Sequence, residues 1–185
     1  MAFATLVVLL YQLYQKKMNF KPFFYLSFFL VFTSTSCGIY SFTGGDTGKA
    51  ATLQIDYFPN NAALIEPGLS QNFTQELQDL FLRQTNLSLV KANGDLTFEG
   101  EISSYRITPM TATADQTAAQ SRLTIVVNVR YFNKYEEQKN FEKKFTHFYD
   151  FGGSEMLTGG LLDTALEEIF ERITQDIFNA SVANW

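Results

Sequence analysis

Few side chains in this sequence are placed to do chemistry, and the most informative is its only cysteine. Cys37 follows an apolar run, residues 23–32, and the small hydroxylated residues Thr33, Ser34, Thr35 and Ser36, with Lys21 just ahead of the run. Charged, then apolar, then small is the order of a secretory signal. The run is well short of the roughly 20 residues that span a bilayer. A cysteine placed first after such a signal is the acceptor for bacterial lipoprotein modification. A thioether-linked diacylglycerol, usually with a third chain on the amine, supplies more than one acyl chain of anchoring. Ser36, Thr35 and Ser34 form a relaxed lipobox, with Ser34 where leucine is usual. The alternative is a free thiol in a flexible tail, with no second cysteine available for an internal disulfide.

The remaining chemistry is sparse. His147 is the only histidine and sits among aromatic residues, which reads as a structural or surface position. No serine or cysteine has a base nearby in sequence, as a nucleophile requires. No His/Cys cluster has metal-ligand spacing. Glu99 and Glu101 stand two apart on one strand and could converge on a substrate, although a solvated pair is the commoner outcome. "TGGLL" (158–162) reads as a helix-entry turn, and no glycine-rich phosphate loop is present. No catalytic residue, cofactor or metal is expected.

The apolar run needs a leader and the mature chain needs a core. Residues 1–36 read as the signal region, with Met18 as the expected true start, because Met18 opens a compact signal by itself. Removing 36 of the 185 residues leaves 149, one domain by length. The signal region holds Lys16, Lys17 and Lys21, so the mature part has 11 basic and 19 acidic residues, a net charge of −8. That excludes nucleic acid as a partner, since such binding rests on Lys and Arg neutralising phosphates. Residues 37–51, ending in "TGGDTGKAA", read as a lipidated flexible tether, and 52–185 as a single domain.

Within that domain "TLQIDYF" alternates as a strand, with Leu53, Ile55 and Tyr57 on one face. Pro67 suits a helix start, and Leu69, Phe73, Leu77, Leu80 and Phe81 form one helical stripe ending near Thr85. Asn93-Gly94 predicts a hairpin between "LSLV" and the strand carrying Leu96, Phe98 and Ile102. Residues 122–132 predict a long strand with Leu123, Ile125, Val127, Val129 and Tyr131 on one face, and Phe141, Phe145, Tyr149 and Phe151 mark the last strand. Leu162, Leu166, Ile169, Ile173 and Ile177 form a second helical stripe. The order β-α-β-β-β-β-α predicts an α+β two-layer sandwich, two helices on one face of a mixed four- to five-stranded sheet. The other face, with Thr97, Glu99, Glu101, Thr124, Asn128 and Arg130, is expected to stay open.

Four stretches together carry a resemblance: "CGIYSF", "GDLTFEGEISSYRITP", "RLTIVVNVRYFN" and "IFERITQDIFNASVANW". They resemble the LptE family of outer-membrane lipoproteins over nearly all of residues 37–185. The resemblance implies the same sandwich, no enzymatic activity, and a role as plug and chaperone inside the LptD β-barrel that inserts lipopolysaccharide. It implies an outer-membrane location, lipid-anchored on the periplasmic side, and local lipopolysaccharide binding by basic side chains. The charge of −8 makes such binding local. The competing reading is a lipoprotein that activates a periplasmic cell-wall enzyme, which a short tether disfavours.

Arg106 and Arg122 flank the connection between the two longest strands and are the candidate lipopolysaccharide contacts, two solvated charges being the alternative. The connection itself, read as residues 108–120, is long for a hairpin. Its Thr108, Met110, Asp115 and Gln120 are the candidate barrel contacts. The anchor is tested by metabolic labelling with a fatty-acid probe. Label is expected on the wild-type chain and lost in Cys37→Ala, and equal label in both would exclude the lipidation.

Overall fold

The computed structural model describes residues 45–110 and 120–183. The expectations at Cys37 and Asp115, and for the signal region, lie outside the described residues. The elements are β1 (Thr52–Ile55), α1 (Leu69–Gln84), β2 (Ser88–Leu89), β3 (Leu96–Met110), β4 (Gln120–Asn133), β5 (Phe141–Gly152) and α2 (Gly160–Ser181). Five strands form one mixed sheet in the order β2-β1-β3-β4-β5. Both helices lie on one face of it, giving the two-layer α+β sandwich that the sequence predicts.

The turn at Asn93-Gly94 is real, but it does not close a hairpin. β1 lies between β2 and β3 and runs parallel to both. The turn therefore carries the chain across β1. Asn93 takes the left-handed conformation, φ 57. Gly94 lies so close to β1 that a Cβ there would come 2.7 Å from the Gln54 backbone nitrogen. The dipeptide reports a tight turn, and pairing is decided by the open edge that β1 offers after its crossover through α1. The later strands pair as expected: β3 with β4 and β4 with β5 are antiparallel.

The two helical stripes supply the covering layer. Leu69, Phe73, Leu77, Leu80 and Phe81 of α1 are buried, as are Leu166, Ile169, Ile173 and Ile177 of α2. Aromatic rings bind helices to sheet in two chains. Phe170 meets Phe73 edge-on at 5.4 Å, and Phe73 meets Phe58 at 5.3 Å. Phe178 contacts Phe81, Phe81 contacts Phe98, and Phe98 lies 4.8 Å from Tyr131. Offset and edge contacts of this kind add roughly 0.5–1.5 kcal/mol each beyond area burial.

Gly100 explains the spacing of "LTFEG". Leu96, Phe98, Gly100 and Ile102 alternate onto the covered face of β3 and are all buried. At Gly100 the ring of Phe58 takes the space of the side chain. A Cβ would stand 2.5 Å from that ring and would overlap the carbonyl oxygen of Asn128. Two residues later the alternation changes phase. A bulge between Ile102 and Ser104 leaves Ser103 without a register partner on β4, and its hydroxyl donates to the Val126 carbonyl at 3.3 Å. One extra residue moves the following side chains to opposite faces, so Tyr105 joins the core and Arg106 faces out.

The stretch 45–51, expected as the end of a flexible tether, is part of the domain. The Asp46 amide donates to the Val182 carbonyl at 2.7 Å, and Gly45 fits against Phe178 and Val182. Asp95 fastens the entry to β1. One carboxylate oxygen accepts from the Ala51 and Thr52 amides and the Thr52 hydroxyl, and the other accepts from the Tyr135 hydroxyl. These donors, led by the Ala51 amide, hold the Asp95 carboxyl below its ordinary value.

Gly100→Ala is expected to lower the unfolding free energy by about 3 kcal/mol, since neither a backbone carbonyl nor a locked aromatic ring can retreat. Ser103→Ala, which removes one half-exposed hydrogen bond, is expected to cost about 1 kcal/mol or less. Urea midpoints of the two variants check both values.

Candidate functional site

The uncovered sheet face and the far end of the β3–β4 hairpin form the candidate site. Register fixes which residues share this face. Arg106 stands opposite Thr124, Thr108 opposite Arg122, and Met110 opposite Gln120. On the next strand Arg122 stands opposite Asp150, and Thr124 opposite Phe148. Arg106 and Arg122 therefore lie diagonally on one face at one end of the sheet, as the antiparallel pairing requires.

Their electrostatics differ. Arg122 binds Asp150 through two parallel hydrogen bonds, Nε to Oδ1 at 2.6 Å and a terminal nitrogen to Oδ2 at 2.8 Å. Its guanidinium carbon also sits 3.6 Å from the centre of the Phe148 ring. The bidentate partner raises the Arg122 pKa and lowers that of Asp150. Arg122 is thus held flat against β5, with its charge matched. Arg106 is exposed and, among the described residues, makes no ion pair.

Nearer the middle of the same face, Glu99 and Glu101 converge on Arg130, at 3.6 and 3.4 Å. Glu101 also accepts from the Asn128 amide nitrogen at 2.6 Å. The two glutamates are neither a solvated pair nor an acid–base pair awaiting substrate. They are the acidic half of a cross-strand charge cluster. His147 faces the helical layer, and its Nε2 lies 2.7 Å from an Asp176 carboxylate oxygen on α2. That contact ties the sheet edge to the helix, a structural role. Among the described residues no group of three or more His, Cys, Asp or Glu could hold a metal ion, and no helix is long and apolar enough to cross a membrane.

The connection read as 108–120 is shorter than the sequence suggests. Thr108 and Met110 belong to β3 and Gln120 to β4, so only residues 111–119 lie between the strands. The polar, small composition of Thr108 and Gln120 hides the strand pairing that β3 and β4 impose on each other. Three of the four candidate barrel contacts are therefore paired strand residues, and Asp115 lies outside the described residues.

This end of β3 is also a sheet edge. β1 pairs with β3 only as far as Phe98, and Asn60 bridges to Ile102. From Ser104 onward β3 pairs with β4 alone among the described residues. Ile107 and Met110 are 41% and 38% exposed, and Leu64 and Ile65 in the segment that precedes α1 are exposed as well. Pro109 removes one backbone donor from this stretch, as edge strands tolerate. The apolar edge was not singled out from sequence. The signal for Ile107 was the shift from even-numbered to odd-numbered apolar positions after Ile102.

The comparisons with known proteins decide the family. A model of the LptE family, described as lipopolysaccharide-assembly, matches residues 50–181. The chain belongs to the LptE family. Membership places it in lipopolysaccharide assembly in general terms. No curated protein sequence matches it significantly. Among solved structures, it is similar to a hypothetical protein from Chlamydia trachomatis at 14% identity and TM-score 0.46, covering 73% of this chain and 99% of that one. A minor lipoprotein from Acinetobacter baumannii matches at 11% identity and TM-score 0.43, covering 72% and 96%. The rare lipoprotein B of Shewanella oneidensis matches at 14% identity and TM-score 0.38, covering 69% and 89%.

The Arg122–Asp150 pair gives a pH signature. A carboxyl held below its ordinary value of 3.8 contributes stability that is fully present above that value and is lost as pH falls through the lower, folded value. Asp95 acts in the same direction. Thermal midpoints are expected to hold from pH 7 to about 5 and to fall below about 4. Asp150→Asn should flatten the acid limb, because its neutral amide no longer titrates, and should move the neutral-pH midpoint only slightly, the pair being exposed.

Proposed function

We propose that this LptE-family chain is an outer-membrane lipoprotein that supports and plugs an LptD-type β-barrel, anchored through Cys37 on the periplasmic side. The observation that carries the reading is the polarity of the sheet. The N-terminal entry at Gly45 is fixed at the end where α1 and α2 finish, beside Thr85, Phe178 and Val182. The β3–β4 connection is at the opposite end. β3 is 15 residues long, about 50 Å at roughly 3.3 Å per residue. A bilayer with its headgroups is about 40–45 Å thick. A domain tied to the inner leaflet by seven residues, with its long axis along a barrel, has the right length to present residues 104–120 near the far side of the membrane.

The middle of the open face suits a barrel lumen. Its Glu99, Glu101, Asn128 and Arg130 side chains are polar and linked by hydrogen bonds and ion pairs, and the lumen of such barrels is polar. Lipopolysaccharide phosphate contact falls to Arg106 in this reading, since Arg122 is already engaged by Asp150. Guanidinium geometry favours bidentate phosphate contact.

The test replaces residues 111–119 with a short Gly-Ser turn, beside a control that shortens residues 134–139 at the other end. The far-end variant is expected to fold, to lose co-purification with the barrel, and to raise sensitivity to bulky antibiotics. The control is expected to retain the barrel. Equal retention by both would reject the far end as the barrel contact. Lipopolysaccharide binding to the soluble domain is expected to fall severalfold with Arg106→Glu and to change little with Arg122→Lys.

A further inference from the structure

The far half of β3 has backbone groups that another strand could take up, and the register says which. Before the bulge, the Ile102 amide donates to the Pro59 carbonyl and its carbonyl accepts from the Asn61 amide, both at 2.9 Å. The Phe98 carbonyl accepts from the Asp56 amide at 2.9 Å. Even-numbered residues of β3 therefore aim their backbone groups away from β4 on this side of the bulge. The bulge passes that role to odd numbers. On β4, even-numbered residues stand opposite Thr97, Glu99 and Glu101, and again opposite Arg106, Thr108 and Met110. β4 keeps its phase, so Arg106 and Thr108 bond to β4, while Tyr105, Ile107 and Pro109 aim outward. Pro109 agrees with this, since a strand tolerates a residue without an amide hydrogen where no ladder bond is lost.

The outward donors are the Tyr105 and Ile107 amides, and the outward acceptors are the carbonyls of Tyr105, Ile107 and Pro109. No backbone bond from another described segment reaches them. The segment that follows β1 leaves the edge at Asn61, just short of this stretch. The opposite edge of the sheet is guarded. On β5, Lys143 shares a face with Phe145 and holds its ammonium 5.3 Å from that ring, and charge placed inward on an edge strand discourages pairing. At the free stretch of β3 the corresponding side chain is apolar Ile107, 41% exposed.

We infer that residues 104–110 of β3 accept an extended connecting segment of the barrel partner as an added strand. The inference rests on the reading of this chain as a barrel plug, and it names the contact. Main-chain bonds give such an addition its affinity, and alternate side chains give its specificity. The strands of a closed barrel have no free edge, so the segment comes from a connection between them. Its chemistry is set by the edge: an amide donor for the Ile107 carbonyl, no proline opposite Ile107, an apolar side chain beside Ile107 and a polar one on the face of Arg106. A second copy of this chain fits less well. Two-fold pairing about Ile107 sets Pro109 against Tyr105 of the other copy and leaves both Tyr105 carbonyls unmet. Seven residues at roughly 3.3 Å each make a contact of about 23 Å, whereas a stable dimer uses about 20–30 residues a side. A barrel that encloses the domain supplies the remaining contact.

The experiment recovers the barrel complex from outer membrane through a tag on the full-length chain, for wild type, Ile107→Pro and Thr146→Pro. Thr146 is the matched control on the other edge. It is exposed, stands opposite Val126 and aims its amide away from β4. Each proline removes an outward amide only, so both variants are expected to keep the wild-type circular dichroism. Recovery of the barrel is expected to fall at least about fivefold with Ile107→Pro, as for one lost interface hydrogen bond, and to hold with Thr146→Pro. Residue-resolved hydrogen exchange is read on the wild-type complex and on the same chain freed of the barrel. The Tyr105 and Ile107 amides are expected to slow in the complex, while Arg106 and Thr108 are slow in both. Because exchange is read on the wild type, it decides the matter even where Ile107→Pro lowers stability. Equal recovery by Ile107→Pro and wild type, fast exchange at Tyr105 and Ile107 in the complex, or a dimer of the free chain that Ile107→Pro dissolves would overturn the inference alone. A wild-type chain that recovers no barrel would fail the plug reading itself, and this inference with it.

Discussion

The close approach of Phe58, Gly100 and Asn128 is the constraint on which the domain depends. β3 must accept β1 on one side and β4 on the other, and its Gly100 has no room for a side chain. The ring of Phe58 fills that space and passes the contact to Phe73 of α1 and Phe170 of α2. One backbone position thus joins the central strand to both helices. Interiors packed at crystal-like density transmit such a contact rigidly, so the sheet behaves as a stiff bar with a covered and an uncovered face.

That stiffness gives the two ends of the bar different chemistry. At one end, Asp95 and Val182 hold the N-terminal entry. At the other, β3 outruns β1 and becomes an edge, with Ile107 and Met110 exposed and Arg106 unpaired among the described residues. In the middle of the open face Arg130 stands between two glutamates and offsets one of their two charges. The polarity is built by the register of β3 against β4 and needs no catalytic group.

Much of this was legible in the sequence because it rests on periodicity. The stripes of both helices, the odd-numbered core face of β4 and the open polar face all follow from spacings of 3.6 and 2, and the structure keeps them. What failed depended on pairing at a distance. Asn93-Gly94 specifies a turn, but the partner of the strand beyond it is chosen by β1, forty residues earlier. The bulge at Ser103 shifts the phase of one strand, and only the register of β4 defines it. Residues 45–51 look flexible by composition, yet donors on Ala51 and Thr52 meet a carboxylate at Asp95. The pairing of Arg122 with Asp150 likewise required β5 to be laid beside β4. Family membership adds the general role, and the finer placement in the membrane is argued from lengths and charges.

The central claim is that the far end of the long hairpin meets the barrel while the tether end stays at the inner leaflet. Site-specific photocrosslinking in intact cells tests it most directly, with the reactive side chain introduced in turn at Arg106 and at Tyr135 of the full-length, exported protein. The account predicts a barrel adduct from position 106 and a lipid-dominated adduct from position 135. Barrel adducts from position 135 with none from 106 would contradict it.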